Sequence, residues 1–171
     1  GVEEMSRKEG RSVFGIQGDV TEESDLARAF ERIDGEQGRL DVLVDVAGGS
    51  HAGFITDLSA EDWEQYFRLN VVSTATACRL AVPRMKTCGG GSIVVMSSIS
   101  GVRGDPGWAV YNTTKAALIN FTECLAWEVG GFGIRVNAIC PGPIASERML
   151  GTLPDDFTNA YNKACAIGRM G

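Results

Sequence analysis

Residues 91–98 read GSIVVMSS and residues 109–129 read AVYNTTKAALINFTECLAWEV. The first is a β-branched, apolar run of strand length, whereas the second is long and continuous enough for a helix. The same alternation extends outward in both directions. Strands are predicted at 12–18 (SVFGIQG), 41–47 (DVLVDVA), 92–98 (SIVVMSS) and 134–139 (IRVNAI), with helical segments between them. Strands alternating with helices predict an α/β fold with a parallel sheet and helices on its faces. Nearly continuous apolar strands of this kind are expected to be buried on both faces.

Between the first two strands, TEESDLARAFERI puts Leu26, Phe30 and Ile33 on one helical stripe, with Thr21 as the expected N-cap. The next helix is predicted from Ser59 to about Met85, with Asp62 completing a capping box. Trp63, Phe67, Asn70 and Thr74 share one face of it, expected to point at the sheet. An amide in register with two aromatics must find hydrogen-bond partners. Gly89, Gly90 and Gly91 then break the chain before the third strand.

A chain of 171 residues that is 44% hydrophobic can bury one core, so residues 1–171 are expected to form a single domain. The net charge of -6 argues against a basic footprint on nucleic acid or on an anionic membrane, and favours a small-molecule ligand. The five cysteines are odd in number and contain no C-x-x-C pair, which predicts reduced thiols in a cytoplasmic protein and no metal site. No apolar run approaches the roughly 20 residues that cross a bilayer. The opening GVEEMSRKEGR is too polar for a signal peptide.

Tyr111 and Lys115 fall four apart on the last long helix, which places them on one face. Tyrosine ionises near pH 10, too high for a base at neutrality, and an adjacent cation is one of the few ways to lower that value. A solvated surface pair has the same spacing. Ser98 ends a buried strand, and in parallel sheets ligands bind at the carboxyl ends of strands. Its hydroxyl can donate to a carbonyl oxygen or accept from an alcohol, or Ser97 and Ser98 simply turn the chain.

Taken together, GDVT at 18–21, VAGG at 46–49, the helical Asn70, GSIVVMSS at 91–98, YNTTKAAL at 111–118 and IRVNAICPGPI at 134–144 resemble the short-chain dehydrogenase/reductase family over nearly the whole chain. The resemblance implies a three-layer, Rossmann-like domain that moves hydride between NAD or NADP and an alcohol or ketone. It implies a catalytic set of Asn70, Ser98, Tyr111 and Lys115. In that set Tyr111 is the general acid/base, Ser98 polarises the substrate oxygen, and Lys115 lowers the tyrosine pKa and binds the nicotinamide ribose. Asn70 holds a water in a proton relay, or else ties down backbone in the core.

Cofactor contacts carry over to Asp19 and Val20 at the adenine, Ala47 and Gly48 where backbone approaches closely, Tyr111 and Lys115, and Pro141, Gly142 and Ile144 at the nicotinamide amide. A homodimer or homotetramer through the long helices is also implied, with Phe121, Cys124 or Trp127 at the contact.

Three departures from the family pattern stand out. Asp45-Val46-Ala47-Gly48 replaces the usual Asn-Asn-Ala-Gly, so an acceptor-only carboxylate stands where an amide would donate. Ser146 replaces a common threonine. No G-x-x-x-G-x-G phosphate loop occurs. The natural protein is therefore expected to be longer, with two further strands in front and one behind. Roughly 250 residues is usual for such a domain, which leaves about 45 in front and somewhat fewer behind. A non-catalytic scaffold is the alternative reading. A serine hydrolase is discounted because G-x-S-x-G is absent and His51, the only histidine, precedes the candidate serine. His51 is read as a loop residue and Trp108 as a lining of the substrate mouth or an anchor of the helix. Residues 145–165, with Met149, Leu150 and Phe157, are read as a substrate cover.

Overall fold

The computed structural model describes residues 13–147, 151 and 155–171. Its elements, in chain order, are α1 (Glu23–Gln37), β1 (Val42–Asp45), α2 (Ala60–Phe67), a π-helical turn (Arg68–Val72), α3 (Ser73–Thr87), β2 (Gly91–Met96), a 3-10 turn (Ile99–Gly101), α4 (Ala109–Val129), a second 3-10 turn (Gly130–Phe132), β3 (Ile134–Ile139) and α5 (Asp155–Ala164). The three strands form a parallel sheet in the order β1-β2-β3. Asp45 registers with Val95, and Met96 with Ile139. Parallel strands need crossover connections, and α2 through α3 and then α4 supply them. This is the α/β arrangement expected from the alternating pattern.

Pleating divides the sheet into two unequal faces. Ile93, Val95, Ile134 and Val136 are buried with Ala77, Cys78, Ala81 and Met85 of α3 and Leu118, Leu125 and Val129 of α4. Fully burying one such side chain contributes about 1.5–3 kcal/mol, so this layer is the principal source of cohesion. On the opposite face Val42 and Val44 are each 55% exposed. The expectation of strands buried on both faces is thus corrected: among the described elements, the helices pack on one side only.

Residues 13–18 form no strand, contrary to the reading of 12–18. A strand exists only beside a ladder partner, and no strand of this sheet runs beside the segment. Arginines of α1 hold its carbonyls instead, Arg28 donating to Gln17 at 3.1 Å and Arg32 to Gly15 at 3.4 Å. Thr21 is not the cap of α1. Glu22 takes that position without a side-chain bond, because the Thr21 hydroxyl and amide both donate to Asp19.

Ser59 and Asp62 do form the capping box: the Asp62 amide donates to Ser59 Oγ at 3.1 Å, and the Ser59 amide to Asp62 Oδ2 at 2.9 Å. The single helix expected from Ser59 to Met85 is interrupted by the π-helical turn, and α2 packs against α4. No helix among the described residues is long and apolar enough to cross a membrane. Met149 and Leu150 lie outside the described residues, as does the side chain of Phe157.

Candidate active site

The site is built where β1 and β2 end. β2 delivers Ser97 and Ser98, both buried, and the chain then turns through Ile99–Gly101 onto α4. Ser97 Oγ donates to the Lys115 carbonyl at 2.7 Å, tying strand to helix. Ser98 caps the 3-10 turn by accepting from the Ser100 amide at 3.1 Å. The turn lies so close to α4 that a Cβ on Gly101 would come within 2.7 Å of the Lys115 carbonyl carbon and 2.9 Å of the Ala116 nitrogen. Backbone cannot swing aside as a side chain can. Gly101→Ala is therefore expected to destabilise by about 1–3 kcal/mol, read by chemical denaturation, and to pull Ser98 out of place.

Lys115 and Tyr111 face the same way, with Nζ 5.8 Å from the Tyr111 ring centroid. The Lys115 side chain is threaded into the core, 5% exposed, and donates to the Met96 carbonyl at 2.8 Å. This is not a solvated surface pair. Burial pushes the ammonium pKa down, and the carboxylate of Asp45 pushes it back up. Trp108 meets the Tyr111 ring edge-on, centroids 6.2 Å apart.

Asn70 is completely buried. Its Oδ1 accepts from the Gly49 amide at 2.8 Å, while Nδ2 donates to the Gly49 carbonyl at 3.0 Å and to Thr114 Oγ1 at 2.9 Å. The side chain therefore clamps the 45–49 loop against α4, as in the reading that has it tie down backbone. Its own carbonyl accepts from Thr74 Oγ1 at 2.9 Å. The π-helical turn places Asn70 here; such turns are rare and recur at functional sites.

Gly48 faces this clamp. A Cβ there would stand 3.0 Å from Asn70 Oδ1 and 3.5 Å from Lys115 Nζ, so the Asn70 amide and the ammonium close on this backbone and leave little room for a side chain. Ala47 is held by its amide donating to Asp45 Oδ1 at 3.2 Å. Asp19 and Gly18 line a shallow polar cleft with Gln17, Asp25 and Arg28, and Val20 lines a groove beside α2 and the π-helical turn. The Thr21 donors hold the Asp19 carboxyl below the usual carboxylate range. Pro141 accepts from the Ile99 amide at 3.0 Å, joining the loop after β3 to the Ser98 turn, while Gly142 and Ile144 are exposed beyond it. The four catalytic candidates thus gather at one end of the sheet, where Ala47, Gly48 and Pro141 also lie.

A profile of the short chain dehydrogenases matches residues 1–156. The chain belongs to this family. It is 33% identical over 169 residues to a 3-oxoacyl-[acyl-carrier-protein] reductase of Chlamydia muridarum, covering 99% of this chain and 68% of that protein. The corresponding reductase of Aquifex aeolicus is 32% identical over 169 residues, with 99% and 68% covered. Among solved structures, a 7 alpha-hydroxysteroid dehydrogenase complexed with NADH and 7-oxo glycochenodeoxycholic acid superposes with a TM-score of 0.94 at 27% identity, covering 99% of this chain and 66% of that one. ElxO with NADP bound gives 0.87 at 30% identity, with 98% and 68% covered. The chain spans about two thirds of the length of these short chain dehydrogenases.

Two residues that tie the candidate site together carry no motif in the sequence. Thr114 accepts from Asn70 and donates to the Tyr111 carbonyl at 2.8 Å, and Ser97 anchors Lys115, yet both look like ordinary hydroxyl residues in the sequence. The helical spacing from Tyr111 to Thr114 was the one available hint.

Proposed function

We propose that this chain is the catalytic portion of an NAD- or NADP-dependent oxidoreductase that interconverts a small alcohol and its ketone. One observation supports it above the rest: a buried ammonium, Lys115, beside the ring of Tyr111 at the end of the strand that carries Ser98. Gly48, exposed and without a side chain, suits the close approach of a nicotinamide cofactor, which when bound supplies or accepts the hydride. Asp19, Val20, Ala47, Gly48, Tyr111, Lys115, Pro141, Gly142 and Ile144 would hold it.

Tyr111 donates its phenolic proton to the substrate oxygen during reduction and takes it back during oxidation. Ser98 orients and polarises that oxygen. Lys115 stabilises the phenolate that is left, because a nearby cation favours the charged form. Asn70 acts by clamping the 45–49 loop and α4, so that Gly48 and Lys115 keep their spacing. The related 3-oxoacyl reductases and the NADH-bound steroid dehydrogenase favour a carbonyl substrate. We also propose that the protein resides in the cytoplasm and pairs as a homodimer or homotetramer through its long helices, where Trp127 is 90% exposed.

The test is a nicotinamide absorbance assay of the whole protein against a panel of ketones and alcohols. Turnover with NAD or NADP is the expected result; a protein that binds neither is a scaffold.

A further inference from the structure

We propose that Asp45 is a positioning residue of the Tyr111–Lys115 pair, a counter-charge at the end of β1 that favours the protonated form of the buried Lys115 amine. The proposal rests on the oxidoreductase reading for its purpose, but its geometry stands alone.

Asp45 is the last residue of β1 and shares a sheet face with Val95, the face on which α3 and α4 pack. Its Oδ1 accepts from the Ala47 amide, whereas Oδ2 is buried and has no hydrogen-bond partner. A buried carboxylate oxygen without a donor is costly unless a cation nearby compensates it. Lys115 is the cation on which the charge of Asp45 acts, across the site and without a direct ion pair between the two. Its Nζ donates to Met96, the residue that follows Asp45's register partner Val95, and lies 3.5 Å from the point where a Cβ on Gly48 would stand. An ammonium has three donors, and one of them is spent on the Met96 carbonyl.

The charge of Asp45 is felt on both helices that cover it. It raises the Lys115 pKa against the effect of burial, and it adds to burial in pushing the Cys78 thiol up to about 12. The other titratable group facing Lys115 is Tyr111 on its own helix; β2 and the 45–49 loop present the Met96 carbonyl and Gly48, which are neutral. An asparagine at position 45 would keep the shape and lose the charge. This chain's departure from the family pattern therefore has an electrostatic role.

The test is a lysine titration, followed by NMR on whole protein labelled with carbon-13 at the lysine ε position, with the Lys115 signal assigned by its loss in Lys115→Met. In Asp45→Asn the Lys115 midpoint moves to lower pH, cutting the ratio of ammonium to amine at a given pH roughly tenfold. Asp45→Glu restores part of the shift, and exposed Lys86 does not move. Asp45→Ser, which keeps an acceptor for the Ala47 amide, asks the same question should the asparagine variant not fold. An unmoved Lys115 midpoint in folded, uncharged variants overturns the proposal. Because the readout needs no turnover, an inactive protein with a shifted Lys115 upholds this inference and overturns the oxidoreductase reading alone.

Discussion

Tyr111→Phe lowers turnover on the order of 10²- to 10⁴-fold, the usual contribution of a positioned acid/base, and leaves the fold intact. The substitution removes one oxygen. The edge contact of the ring with Trp108 remains, as does the bond from Thr114 Oγ1 to the Tyr111 carbonyl, because neither uses the phenol hydroxyl. Melting temperature should therefore match the parent protein, and nicotinamide affinity should fall far less than turnover. Comparing initial rates with binding titrations checks both halves of the statement. Retained turnover would remove Tyr111 from the chemistry, while a loss of cofactor affinity as large as the loss of turnover would reduce its role to holding the cofactor.

Asn70→Ala is expected to have the largest effect on stability. It strips the half-buried Gly49 amide and carbonyl and the buried Thr114 Oγ1 of the completely buried side chain that partners them. Each buried polar group left unsatisfied costs about 1–3 kcal/mol, so a loss of at least about 3 kcal/mol is expected. For a chain of this size that corresponds to a fall of roughly 6–12 °C in Tm. Activity should fall with it, since the loop over Lys115 is no longer clamped. Thermal unfolding followed by circular dichroism measures the change, and Glu64→Ala on the exposed side of α2 serves as the control. Equal Tm values for the two variants would deny Asn70 its clamping role.

The parts of the molecule that were legible in the sequence are those governed by local chemistry. Ile93 and Val95 mark a strand because β-branched side chains suit a pleated sheet, and Ser59 and Asp62 mark a helix start because they satisfy each other's amides. Tyr111 and Lys115 could be placed on one face from their spacing alone. Asn70 announced itself as an amide on an apolar stripe, although its partners on Gly49 and Thr114 were not visible.

What escaped the reading depends on contacts distant in the chain. SVFGIQG has the composition of a strand, but a strand requires a neighbour, and composition does not supply one. The π-helical turn at Arg68–Val72 has no composition of its own; it follows from Asn70, Ser73 and Thr74 meeting backbone groups across the fold and along the helix. Thr21 resembled a helix cap, yet Asp19 two residues away competed successfully for its hydroxyl. Asp45 was visible as a departure from the family pattern, whereas the burial of its Oδ2 on the helix-covered face emerged only from the register with Val95.

The central claim is that hydride passes directly between the nicotinamide and a substrate carbon while Tyr111 handles the proton. Its most direct measurement is isotope transfer: the whole protein is incubated with nicotinamide cofactor deuterated at the transferable ring position and a panel of ketones, and the alcohols are analysed by mass spectrometry. The account predicts one deuterium on the carbinol carbon, at a rate that collapses in Tyr111→Phe. Alcohol formed without deuterium, or labelled alcohol formed equally fast by the phenylalanine variant, would contradict it.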